Sequence, residues 1–428
     1  MTRRSEALAI EPRGPLEATV RVPGSKSITN RALLIAALAE GESELVGPLT
    51  SVDTDVMRRA LESLGARIEG AGERWRVHGM GGRFEPPSEP IWIENSGTSA
   101  RFLTACLTLG KAPVVLDGNA RMRERPIDDL CDALGQLGAA VEVLGERGCP
   151  PVRVQGGGLP GGHALMDVRR TSSQFVSAIA LSAPYAQHDV TIEFVDNVLV
   201  SRPYVDLTLQ VMREFGAQAG WTPEGHLQVT AGRTYRPRRS TIEPDASSAV
   251  YPFCAAAIAG GIVRVDGIPA ASAQPDFRVL GLLQRMGCQV RRFGETVEVQ
   301  GPADGLRSLG EVDMNDLPDA ALAYAVVALF ANGPTVIRNV PNLRIKETDR
   351  LHALETELRR LGARATAGPD SIAIQPGPLH GAAIETYDDH RMAMAFSLAG
   401  LRVPGVAIHD PTCVSKTWPN YFDVFRHL

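Results

Sequence analysis

The chain has 428 residues, 44% of them hydrophobic and 22% charged, with a net charge of −5 at neutral pH. That length is too great for one compact core and fits two domains of about 200 residues each. The acidic balance argues against a nucleic-acid or membrane surface, so cations clustered in loops must address small anions.

In chain order, Met1-Thr-Arg-Arg-Ser has no apolar stretch of a leader, which predicts a cytoplasmic chain. Apolar runs such as residues 320–331 fall short of the ~20 residues that span a bilayer. Leu16 to Val22 alternates like a strand and ends at Pro23-Gly24, before an Ala- and Leu-rich helix. Ser25, Ser27, Thr29 and Asn30 fall where that helix leaves its first N–H groups unpaired. Lys26 and Arg31 add full charge to the positive helix end. This is not a Walker A loop, because Ser25 separates Gly24 from Lys26. Taken alone, a capped helix with solvated cations is the better account of the stretch; its recurrence favours an anion cradle.

A triplet of apolar residue, Gly and small residue closes successive helical patterns at Gly65, Gly138, Gly216, Gly287 and Gly362, about 75 residues apart. Pairs of strands joined by a turn are expected at 8–22, 75–93, 152–168, 227–242, 297–312 and 372–384. Each pair precedes an apolar helix opened by polar residues, then a short strand, then an amphipathic helix such as that of Leu351, Leu354, Leu358 and Leu361. Six βαβαβ-type units result. A helix apolar all round must be buried, which predicts an α/β fold with helices inside and sheets outside. Three units per domain gives residues 22–237 as one domain and 1–21 plus 238–428 as the other, joined by a double-crossover hinge.

Buried helices pointing one way would turn their starts toward a cleft between the domains. The loops on that side carry Lys26, Arg31, Arg101, Arg121, Arg123, Arg125, Ser172, Ser173, Gln174, Ser201, Arg202, Arg344, Lys346, Arg350, His390, Arg391 and Lys416. Two such cations 4 Å apart repel by about 4 kcal/mol at an effective dielectric of 20, so a bound anion is expected among them. Asp319 is either a helix cap or an acid/base group; Glu347 and Asp389 are either ion-pair partners or acid/base groups. Cys106, Cys131, Cys149, Cys254, Cys288 and Cys413 show no ligand spacing and are expected to be buried thiols. No dinucleotide fingerprint or metal motif is present, so chemistry on phosphates without cofactor or metal is expected.

The motifs PGSKSITNRAL, NSGTSAR, RMRERPI, SSQF, SRPY, PDASSA, DLPDAA, NLRIKETDR, DDHRMAMAF and DPTCVSKTWPNYF occur in one order along the chain. In that set the chain resembles the 5-enolpyruvylshikimate-3-phosphate synthases of the enolpyruvyl transferase family. The resemblance implies a two-domain inside-out α/β barrel with six βαβαββ repeats, acting as a cytoplasmic monomer of the shikimate pathway. It implies transfer of the enolpyruvyl group of phosphoenolpyruvate to the 5-hydroxyl of shikimate 3-phosphate, with glyphosate as a competitor. On matching positions it implies that Lys26, Ser27, Arg31, Ser172, Ser173, Gln174, Ser201, Tyr204, Asp319, Asn342 and Lys346 hold shikimate 3-phosphate. Lys26, Gly97, Arg121, Gln174, Arg350, Arg391 and Lys416 would hold phosphoenolpyruvate. Asp319 and Glu347 would be the base and acid, with Lys26, His390 and Lys416 assisting. Glu94 and Phe102 depart from the family pattern. Two competing readings are an enolpyruvyl transferase acting on UDP-N-acetylglucosamine and a non-catalytic binder of phospho-ligands. The first should carry Lys-Asn at Lys26-Ser27 and a Cys-bearing Gly-rich loop, and has neither.

Overall fold

The computed structural model describes residues 7–169 and 171–428. The opening Met1-Thr-Arg-Arg-Ser lies outside the described residues. The chain divides into two units, one formed by residues up to Pro23 together with Glu243–Leu428, the other by Gly24–Ile242. The second boundary falls after 242 rather than after 237, because strand Arg239–Thr241 pairs in parallel with Glu40–Val46 of the Gly24–Ile242 unit.

Among the described residues, each unit has three sheets and three helices buried on every side. In the Gly24–Ile242 unit the buried helices are Lys26–Leu38, Gly97–Leu107 and Ser173–Ser182. In the other they are Ala246–Ala259, Ala321–Ala328 and His390–Gly400. The run 320–331 thus yields a helix of two turns, preceded by a 3-10 turn at Pro318–Ala320. Val326, Tyr324, Phe253 and Phe396 have no exposed surface, as expected of helices with no polar face.

Around these helices the sheets repeat one pattern. A strand entering a buried helix lies parallel to the strand leaving it, as Gly162–Val168 does to Val190–Leu199. The leaving strand then pairs antiparallel with one arm of a hairpin, as Glu40–Val46 does with Arg74–Met80, itself paired to Arg67–Glu69. The strand pairs expected at 75–93 and its counterparts are therefore not hairpins: Arg74–Met80 and Ile91–Trp92 belong to different sheets. The segment between them, Gly81-Gly-Arg-Phe-Glu-Pro-Pro-Ser-Glu-Pro90, carries three prolines that cannot donate to a ladder. Two strands are exchanged at the crossings. Leu16–Val20 leads into helix Lys26–Leu38 yet pairs with Gly261–Val265, and Arg239–Thr241 leads into Ala246–Ala259 yet pairs with Glu40–Val46. Leu8–Ala9 pairs antiparallel with Ala407–Ile408, completing the last sheet.

The five capping glycines all have positive φ, from 86° at Gly138 to 109° at Gly287, a region costly for any residue with a Cβ. Helix Arg350–Arg360 buries Leu351, Leu354 and Leu358. Among the described residues, no helix is long and apolar enough to cross a membrane.

All six cysteines are free and buried. Burial pushes the Cys131 and Cys288 thiols up to about 12, and Cys106, Cys254 and Cys413 higher still. The reactive thiolate is thus scarce at neutral pH. A chromogenic disulfide reagent should label the native protein only over hours and all six thiols within minutes in denaturant; rapid native labelling would contradict this burial.

Candidate functional site

Five of the six buried helices are capped by a short polar side chain: Ser25, Ser96, Ser172, Asp245 and Asp389 each accept from an N–H of the first turn. Helix Ala321–Ala328 differs: neither Ala320 before it nor Leu317 before its 3-10 turn gives a side-chain cap. The oxygens of Asp319, in that turn, face cations. Oδ1 lies 3.2 Å from Arg350 Nη1 and 3.7 Å from Lys346 Nζ, and Oδ2 accepts from Arg391 Nη2 at 3.0 Å.

Arg391 ties the starts of all three buried helices in its unit. Besides Asp319, its Nη2 donates to Ser247 Oγ at 3.1 Å and its Nη1 to Tyr251 Oη at 3.5 Å, both on helix Ala246–Ala259. Arg350 lies beside it, buried. Its Nε donates to Asp389 Oδ2 at 2.7 Å and its Nη2 to Asp389 Oδ1 at 3.1 Å and Glu347 Oε2 at 2.9 Å. Burial alone would lower the guanidinium pKa, but the charges of Asp389, Glu347 and Asp319 outweigh it and hold it above its usual value. His390 Nδ1 lies 3.6 Å from Asp389 Oδ1. Asp388 follows Tyr387 in a left-handed turn, with φ of 54° and 56°. Burial raises its carboxyl pKa, opposed by the Lys416 charge. Lys416 and Asn342 each sit on a 3-10 turn, Pro411–Lys416 and Pro341–Ile345.

The Gly24–Ile242 unit has its own cluster. Arg31, buried, donates from Nε to Thr208 Oγ1 at 2.7 Å, from Nη1 to the Ser27 carbonyl at 2.9 Å and from Nη2 to the Tyr204 carbonyl at 3.3 Å. Its guanidinium stacks over Phe102, 5.2 Å from the ring centre, and Thr208 bonds Ser177 Oγ at 2.9 Å. Arg31 thus links helices Lys26–Leu38 and Gly97–Leu107 directly and reaches helix Ser173–Ser182 through Thr208. Burial lowers its pKa to about 10, opposed by Tyr204. Lys26 Nζ is 4.0 Å from Asp53 Oδ2. Gln174 Nε2 donates to Thr98 Oγ1 at 3.2 Å, which joins two helix starts. Ser172 caps and Ser173 opens the helix that carries Gln174. Ser201, with φ 53°, precedes helix Arg202–Glu214, on which Tyr204 lies. Arg121 adjoins a 3-10 turn and donates to Glu124 Oε2 at 2.9 Å.

Gly97 opens helix Gly97–Leu107 against two guanidiniums: a Cβ there would lie 2.4 Å from Arg125 Nη2 and 2.9 Å from Arg101 Nη1. Glu94 has φ 50°, in the backbone region that favours Gly. Two polar residues that open buried helices prove central. Asp389 grips Arg350, and Asn95 accepts Arg125 Nη1 at 2.9 Å. Ser247 lies in the PDASSA motif without being singled out, and Thr208 carried no signal beyond a polar residue in a helix.

Helix starts, fixed cations and a carboxylate held among them equip a protein to bind anionic groups and move a proton beside them. Such equipment on buried-helix repeats defines a transferase that handles phosphorylated small molecules. The family model for EPSP synthase (3-phosphoshikimate 1-carboxyvinyltransferase) matches residues 10–425. The 3-phosphoshikimate 1-carboxyvinyltransferase of Trichormus variabilis is 45% identical over 96% of both chains. That of Yersinia pseudotuberculosis is 45% identical over 99% of both. The solved EPSP synthase of Acinetobacter baumannii superposes with TM-score 0.79 at 27% identity, covering 99% of this chain and 98% of that one. The enolpyruvyl transferase NikO of Streptomyces tendae shares the fold at TM-score 0.77 and 20% identity, covering 97% and 96%. The chain belongs to the EPSP synthase family.

Replacing Asp389 by Asn keeps its shape and leaves Arg350 short of one buried countercharge. Breaking such a pair costs about 3–5 kcal/mol. The Asp389→Asn variant should lose stability on that scale in urea unfolding, against less than about 0.5 kcal/mol for the exposed Asp423→Asn.

Proposed function

We propose that the chain is a 3-phosphoshikimate 1-carboxyvinyltransferase, which moves the enolpyruvyl group of phosphoenolpyruvate to the 5-hydroxyl of shikimate 3-phosphate and releases phosphate. The observation that carries this reading is Asp319, held by Lys346, Arg350 and Arg391 where the three buried helices of its unit begin. Family membership over the whole chain supports the same reaction, and favours it over the UDP-N-acetylglucosamine alternative. Lys26, Ser27, Arg31, Ser172, Ser173, Gln174, Ser201, Tyr204, Asp319, Asn342 and Lys346 hold shikimate 3-phosphate on this reading. Lys26, Gly97, Arg121, Gln174, Arg350, Arg391 and Lys416 hold phosphoenolpyruvate. The protein acts as a cytoplasmic monomer and uses no cofactor.

In the addition step Asp319 takes the proton of the 5-hydroxyl as its oxygen bonds the enol carbon. A proton passes from Glu347 to the methylene carbon, which becomes a methyl group, and a tetrahedral intermediate forms. In the elimination step the C–O bond to phosphate breaks, the departing phosphate takes the proton held by Asp319, a methyl proton returns to Glu347, and the enol ether is left. Lys26, His390 and Lys416 assist these transfers. Fixed guanidiniums suit this chemistry because charge grows on the departing phosphate.

Phosphate release from the two substrates together tests the reading, and its absence would leave a phospho-ligand binder. Asp319→Asn should lower kcat by about 10²–10⁴ while shikimate 3-phosphate still binds. Near-normal turnover in that variant would remove Asp319 from its role. Gly97→Ala, which crowds Arg101 and Arg125, should raise the KM for phosphoenolpyruvate about tenfold and leave that for shikimate 3-phosphate within about twofold.

A further inference from the structure

Helix Arg350–Arg360 holds the segment 383–389 at successive points. Arg360 Nη1 donates to the Ala383 carbonyl at 2.9 Å, and the Glu385 N–H donates to Glu357 Oε2 at 3.3 Å. Tyr387 Oη donates to Glu357 Oε1 at 2.7 Å, and Arg350 grips Asp389. Positions 350 and 357 are two turns apart, so one helix face meets both ends of the turn. Tyr387 and Asp388 are consecutive non-glycine residues in the left-handed region. Such residues keep that conformation only where their surroundings impose it. Directly after the turn come Asp389, His390 and Arg391.

We propose that Glu357 and Tyr387 are positioning residues for enolpyruvyl transfer, holding the turn that aims Asp389 at Arg350 and Arg391 at Asp319. The proposal rests on the function proposed above. Glu357 is fully buried, although its Arg360 partner, 3.1 Å away, is 40% exposed. Each carboxylate oxygen of Glu357 is used on the turn: one for the Tyr387 hydroxyl, one for the Glu385 amide. A side chain that served helix stability alone would not need both. Without the Tyr387 hydroxyl bond the turn keeps its Asp389 end and loses its central one. Arg391 then shifts against Asp319 while the shikimate 3-phosphate residues of the Gly24–Ile242 unit are untouched.

The experiment is steady-state phosphate release by the full chain, with each substrate varied in turn and the thermal midpoint measured alongside. Tyr387→Phe should lower kcat/KM for phosphoenolpyruvate about tenfold, leave the KM for shikimate 3-phosphate within about twofold, and shift the midpoint by no more than about 2 °C. Glu357→Gln should lower the same constant, and the double variant should be no worse than the weaker single one, because both break one link. Glu355→Gln, which removes an ion pair with Arg359 elsewhere on the helix, should change none of these constants. If Glu357→Gln does not fold, Tyr387→Phe decides the matter. Wild-type constants in Tyr387→Phe, or equal losses for both substrates that follow the thermal midpoint, would overturn the proposal. A wild-type chain that releases no phosphate overturns the function and this proposal with it; an active wild type with an indifferent Tyr387→Phe overturns this proposal alone.

Discussion

A guanidinium that is 1% exposed, as at Arg350, cannot stay charged in a protein interior without countercharge. Asp319, Glu347 and Asp389 supply it, each within 3.2 Å. Those carboxylates come from the end of one strand-to-helix turn, the approach to another helix, and the cap of a third. Satisfying Arg350 therefore fixes three chain segments from two repeats relative to one another. Paired N–H donors facing both oxygens of Asp389 add direction to the attraction, which a point charge would lack. The starts of the buried helices in that unit owe their arrangement to this one ionic knot.

The Gly24–Ile242 unit solves the same problem with neutral acceptors. Arg31 also links three buried helices, but through a hydroxyl, two carbonyls and an aromatic face. Its charge is solvated by the protein and not cancelled. Around Arg350 and Arg391 the charge is largely balanced by carboxylates. One unit therefore offers net attraction to an anion, and the other a set of charges that can rearrange as protons move.

Local signals in the sequence were enough to place the helices. Polar caps, glycine stops and the spacing near 75 residues are short-range properties, and the buried helices begin where Ser25, Ser172 and Asp389 indicate. Sheet membership was not legible, because pairing joins residues far apart and a turn-linked pair looks the same whether or not it is a hairpin. The site was legible as a set of cations and carboxylates but not as a network. Arg350 and Asp389 are 39 positions apart, and nothing local marks them as partners. The expectation that cations would repel until an anion arrived left out these distant carboxylates. Asp319 likewise gave no local sign that Lys346, Arg350 and Arg391 would all face it.

The exchanged strands also bear on the order in which the molecule can be made. Synthesis runs from the N-terminus, and Gly24–Ile242 holds every strand and helix of its unit in one continuous stretch. It can mature as soon as it is complete. Leu16–Val20 has no such freedom: Glu17 meets Arg264, 247 residues further on, and Arg13 bonds the carbonyl of Phe425 after 412. These strands thus leave the ribosome long before their neighbours do. Until then they remain unpaired edges, the state in which a nascent chain depends most on being shielded from other chains.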